Sequence, residues 1–147
     1  MINFAANLSM MFTENDFMER FMLASQKGFE GVEYLFPYDY KKEDIKNELE
    51  NNNLKQILFD FPAGDFASGD RGIAIFPDRK SEFQEGVHKA LEYATFLDCK
   101  RLTVLVGIND GRFSDLSFGR NPSIVTVPSP FTNGTPLLPQ PSRIKSK

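Results

Sequence analysis

The stretch Gly28-Phe29-Glu30-Gly31-Val32-Glu33-Tyr34-Leu35-Phe36-Pro37-Tyr38 decides how the chain is read. Gly28 closes a helical pattern, residues 32–36 form a short apolar run of strand length, and Pro37 opens a loop. Glu33 is the anomaly within that run. A carboxylate between Val32 and Tyr34 is costly to bury unless a cation, a hydroxyl or a metal meets it, so the end of this strand is a candidate site.

The same grammar repeats outward from this stretch. Residues 2–7 read as a buried first strand that turns into a loop over residues 8–12. Thr13, with Asp16 three residues on, reads as a helix start, and Phe17, Phe21 and Ala24 recur at helical spacing up to Gly28. Beyond Pro37 a helix is predicted over residues 41–52, with Ile45 and Leu49 as a thin apolar stripe and Lys41-Lys42-Glu43-Asp44 as its solvated start. A third strand is expected over residues 55–59. Residues 60–80 then read as a long Gly-, Pro- and Asp-rich loop of the kind that serves as a lid. Phe83, Val87, Ala90, Leu91, Ala94 and Leu97 mark the broad apolar face of a third helix, in which Gly86 costs roughly 1 kcal/mol relative to Ala. Residues 102–106 follow as an apolar fourth strand, as expected where both faces are covered.

Strands alternating with helix-length segments argue for an α/β fold with a parallel sheet. Periodicity alone leaves a small doubly wound sheet and part of a barrel equally open. Three segments add more: Phe4-Ala5-Ala6-Asn7-Leu8-Ser9-Met10-Met11-Phe12-Thr13-Glu14, then Gly31-Val32-Glu33-Tyr34-Leu35-Phe36-Pro37-Tyr38, then Pro62-Ala63-Gly64-Asp65 with Gly69 to Gly72 behind it. In this order and spacing they resemble the N-terminal half of the hydroxypyruvate isomerase family. These are sugar-isomerase-like TIM barrels, with close relatives acting on 2-oxo-tetronates. The resemblance runs from about Phe4 to about Gly107 and stops there.

A whole (β/α)8 barrel takes roughly 250 residues, and this chain has 147. The resemblance therefore implies a partial barrel over residues 1–107, with about four strands and three helices, followed by an irregular Pro-rich tail over residues 108–147. Six of the nine prolines lie in that tail. Arg112, Arg120, Arg143, Lys145 and Lys147 against Asp110 and Asp115 give it +3, which leaves −6 for the residues before it within a total of −3. Six prolines break helices and ladders alike, so the tail is expected to be disordered, with residues 123–127 able to pair as an edge strand. So abrupt a break in composition is what a frameshifted, truncated or mis-spliced reading frame would produce.

Hydroxypyruvate isomerases interconvert hydroxypyruvate and tartronate semialdehyde by proton transfer. In such barrels a divalent metal, Mg2+ or Mn2+, polarises the oxygens while carboxylates act as base and acid. The resemblance implies that those carboxylates come from later strands, which have no counterpart here. The expectation is an inactive form that holds no metal alone and contributes no catalytic residue. The alternatives are a 2-oxo-tetronate isomerase relative and a non-catalytic half-barrel module that self-associates through its open side. Endonuclease or epimerase chemistry fits the motifs less well.

The resemblance carries Asn7, Phe12, Glu33, Phe36, Tyr38 and Asp65 over as candidate residues facing a small oxo-acid substrate. Each has a plainer alternative. Asn7 and Asp65 are also good turn formers, Glu33 also fits a structural ion pair, Phe12 and Phe36 also fit a core, and Tyr38 also fits an exposed loop. His88, the sole histidine, lies beside Val87 on the third helix and reads as a surface residue. No P-loop, nucleophile elbow or dinucleotide fingerprint is present.

A net charge of −3 offers no footprint for nucleic acid. The single cysteine, Cys99, excludes an internal disulfide and a cysteine-built zinc site. Residues 1–4 lack the basic and apolar blocks of a signal peptide, and acidic residues recur too often for a membrane helix, so a cytoplasmic protein is expected.

Overall fold

The computed structural model describes residues 3–108 and 123–126. Its elements follow the order β1 (Ala5–Asn7), α1 (Glu19–Gln26), β2 (Gly31–Tyr34), α2 (Lys42–Asn51), β3 (Lys55–Asp60), α3 (Lys80–Phe96), β4 (Arg101–Val104) and β5 (Ser123–Thr126). The four strands β1 to β4 pair in parallel, each with the next in sequence. A doubly wound sheet reverses its strand order at a switch point, whereas a barrel wall adds each strand beside the last. The order β1-β2-β3-β4-β5 is that of a barrel wall.

Alternation along the strands sends Ala6, Val32, Tyr34, Phe59, Leu102 and Val104 to one face, where they pack with Phe21 and Ala24 of α1, Ile45 and Leu49 of α2 and Ala90 and Ala94 of α3. Aromatic rings dominate this layer: Phe17 meets Phe21 and Tyr34 edge-on at 5.4 and 5.2 Å and stacks on Tyr40 at 4.8 Å. Cys99, just before β4, is 1% exposed, and burial pushes its thiol up to about 11. His88 is exposed on α3. Among the described residues no helix is long and apolar enough to cross a membrane.

Three expectations are corrected. Thr13 does not start a helix: residues 8–10, 13–14 and 17–18 form turns, and α1 begins at Glu19 with no side-chain cap on Met18. The turns are tied down by the Arg20 guanidinium, which donates to the carbonyls of Leu8 at 2.8 Å and Asn15 at 2.9 Å. Second, β3 runs one residue further than expected, because Asp60 pairs with Thr103 of β4. Third, β4 begins at Arg101 and ends at Val104, with Val106 forming a separate bridge to Gly72. The edge strand expected over residues 123–127 is present as β5, which lies antiparallel along β4 from Ser123 opposite Val104 to Thr126 opposite Arg101. The remaining tail positions, over which disorder is expected, lie outside the described residues.

The long segment after β3 is anchored at several points. Gly72 N–H donates to Ala63 O at 3.0 Å and Ile75 N–H to Val106 O at 3.0 Å. Gly72 has φ +96°, and a Cβ there would lie 1.7 Å from the Leu105 carbonyl oxygen, so only glycine permits this crossing. Asp70 Oδ2 accepts from Asp65 N–H and from Arg79 Nη1, each at 2.7 Å, while Arg79 holds Glu82 through a second pair of bonds at 2.7 Å.

Candidate functional site

The sheet face turned away from the helices carries the polar side chains. Asn7 ends β1 and is register partner to Glu33 on β2; its Nδ2 donates to Glu33 Oε1 at 3.1 Å. Glu33 thus meets an amide rather than the cation an ion pair would need. Asn7 Oδ1 accepts Ser9 N–H at 3.0 Å, and Ser9 Oγ accepts Leu35 N–H at 2.9 Å, which locks the ends of β1 and β2 together. The turn-forming role open to Asn7 is therefore present alongside its contact with Glu33.

Two strands along, Asp60 ends β3 at 7% exposure and hydrogen-bonds the side chain of its register partner Thr103. Burial pushes its carboxyl up to about 6, opposed by the Thr103 hydroxyl and reinforced by the negative charge of Glu33. Asn7, Glu33, Asp60 and Thr103 form a polar row across four strands at their C-terminal ends. Two of its members, Asp60 and Thr103, were missed as candidates. The pattern Phe59-Asp60-Phe61 repeats the apolar-carboxylate-apolar signal of Val32-Glu33-Tyr34 and was available to find the first of them.

The other candidates sit around this row. Phe12 lies in the loop after β1 with φ 60°, an unusual left-handed conformation for a phenylalanine, and packs against the core. Phe36, just past β2, meets Phe66 of the long loop edge-on at 5.0 Å. Tyr38 turns inward: its hydroxyl donates to the Asp60 carbonyl at 2.6 Å and its ring lies against Tyr93 at 5.3 Å, and burial raises its pKa. Asp65 is exposed and closes its own turn, accepting Ser68 N–H at 3.0 Å and Ser68 Oγ at 2.7 Å, bonds that lower its pKa. The structure therefore brings Asn7 and Glu33 together, places Phe36 at the rim, and engages the polar groups of Tyr38 and Asp65 with protein partners.

A divalent metal would need several convergent hard ligands. Among the described residues no group of three or more His, Cys, Asp or Glu side chains is placed to hold one. Glu33 and Asp60 alone do not make such a site.

Helices on one face of a parallel sheet whose strands add in sequence order, with polar side chains at the C-terminal strand ends, are the arrangement of a partial TIM-barrel-like α/β fold. Comparison with known proteins narrows this class. The chain is 50% identical over 114 residues to hydroxypyruvate isomerase of Escherichia coli K12, covering 78% of this chain and 44% of that enzyme. It is 43% identical to 2-oxo-tetronate isomerase of Cupriavidus necator, over 74% of this chain and 42% of the relative. Among solved structures, an AP endonuclease of family 2 from Brucella melitensis superposes with a TM-score of 0.74 at 51% identity, covering 76% of this chain and 43% of the other. No family model matches the sequence. The chain is thus a homologue of the hydroxypyruvate and 2-oxo-tetronate isomerases, and it spans less than half the length of each of these relatives.

Proposed function

We propose that the chain derives its function from hydroxypyruvate isomerase chemistry, the proton transfer that interconverts hydroxypyruvate and tartronate semialdehyde, with a 2-oxo-tetronate as the alternative substrate. Its own contribution is the substrate-facing side of the first strands. The observation that carries this reading is the row Asn7, Glu33, Asp60 and Thr103 at the strand ends, inside a segment that is 50% identical to the Escherichia coli isomerase. The Asn7 amide orients the Glu33 carboxylate, whose other oxygen is positioned to accept a hydroxyl of a small polyol-like acid. Phe12 and Phe36 border the same strand ends and exclude water from it. Tyr38 and Asp65 act through packing and turn geometry instead. The net charge of −3 offers no electrostatic footprint for nucleic acid.

Proton transfer in this chemistry needs a base, an acid and a metal-polarised oxygen, and the described residues do not supply all three. The 147-residue chain is accordingly proposed to bind the substrate class without turning it over, and to act as a half-barrel module in a soluble, cytoplasmic setting. The outer edge of β1 has no strand partner among the described residues, which supports association with a second copy along that edge.

A titration of the isotope-labelled chain with hydroxypyruvate, followed by NMR, tests the binding half of the proposal: the Asn7 side-chain amide and the Glu33 backbone should shift together. Unmoved signals at millimolar ligand would overturn it. With Mg2+ or Mn2+ added, no tartronate semialdehyde should form, and turnover on the order of 1 s−1 or faster, an ordinary enzymatic rate, would reject the non-catalytic reading.

A further inference from the structure

Hydroxypyruvate and the 2-oxo-tetronates share a carboxylate next to a ketone. The polar row at the strand ends contains Glu33 and Asp60 and no cation, so it repels an anionic group and suits only the hydroxylated end of such a molecule. The carboxylate must be received further out, where the loops that follow the strands form a rim.

A chain of contacts leads there from Phe36, just past the end of the strand that carries Glu33. Phe36 meets Phe66 at 5.0 Å, and the guanidinium of Arg71 lies 4.0 Å over the Phe66 ring. Arg71 Nη1 donates to the carbonyls of Phe66 at 3.0 Å and Asp70 at 2.7 Å. Its Nε and Nη2 make no hydrogen bond, and the guanidinium no ion pair, among the described residues. A stacked guanidinium clamped along one edge loses little freedom when the other edge takes a ligand, and that open edge matches a carboxylate in two-pronged geometry. The other described arginines are committed or misplaced. Arg20 donates to Leu8 and Asn15, Arg79 is bound by Asp70 and Glu82, and Arg101 opens β4 at the far end of the sheet.

We infer that Arg71 is the specificity-determining residue that receives the substrate carboxylate, its guanidinium held ready by the Phe66 ring and two backbone carbonyls. This rests on the proposed function and deepens it. It also gives a purpose to Gly72, whose close crossing over Leu105 fixes the backbone next to Arg71.

The test compares hydroxypyruvate with dihydroxyacetone, in which a neutral hydroxymethyl replaces the carboxylate, by NMR titration of the full chain. The parent protein should bind hydroxypyruvate about tenfold more tightly than dihydroxyacetone, as a charge-assisted pair requires. In Arg71→Met, which keeps the aliphatic stem on Phe66, the preference should vanish while the affinity for dihydroxyacetone stays unchanged. Arg71→Lys, with charge but no planar fork, should recover only part of it. An unaltered preference in Arg71→Met, at a parental melting temperature, overturns the role of Arg71 and leaves the proposed function standing. A parent chain that binds neither ligand overturns both.

Discussion

Asp60 sits at a point where burial, a hydroxyl partner and a like charge compete, and burial wins. Its carboxyl ionises near 3.8 in an unfolded chain and at about 6 in the fold, so between those values the native state holds more protons. Its favourable contribution is complete below about pH 4 and is lost as pH rises through 6. Asp60→Asn, which keeps an acceptor for Thr103, should flatten this decline and stabilise the protein at pH 7.5 by on the order of 2 kcal/mol. Urea denaturation at pH 4.5 and 7.5 measures both effects, and a variant less stable than the parent at pH 7.5 would contradict the assigned cause. At this scale the sequence was half legible. Glu33 stood out because its apolar neighbours lie inside an obvious strand. Asp60 has the same neighbours but was assigned to a loop, and Thr103 gains meaning only from a strand more than forty positions away in the chain.

Two glycines separate sequence preference from tertiary demand at the scale of elements. Gly86 reads as a defect in α3, and a Cβ there would meet the Pro62 ring at an ordinary 3.5 Å. Gly86→Ala should therefore stabilise the helix by up to about 1 kcal/mol. Gly72→Ala should do the opposite, because its Cβ has no room beside Leu105 and its φ of +96° disfavours any side chain. A loss of more than about 3 kcal/mol is expected, with the segment after β3 released from the end of β4. Thermal melts of the two variants check the pair, and equal shifts in one direction would refute the account. Helices α2 and α3 were legible from their apolar stripes, within a residue or two of their observed ends. The start of α1 was not, because Arg20 reaches back to carbonyls on two turns, a contact that no local cap pattern encodes.

For the whole molecule, the choice between a doubly wound sheet and a barrel wall was not legible in periodicity. It required the motif resemblance, and the strand order now supports it on topological grounds. Among the described residues β5 adds an antiparallel fifth strand along β4, where a parallel one would continue a barrel. The sole cysteine turns this architecture into a measurable quantity. Cys99 lies sealed between sheet and helices, so thiol-specific reagents cannot reach it in the folded molecule, and a sulfhydryl titrating near 11 is a poor nucleophile at neutral pH. Its labelling rate should therefore follow the opening of the entire sheet-helix layer and rise steeply with urea. The polypeptide thus carries a built-in reporter, with no residue introduced, for how often its interior comes apart.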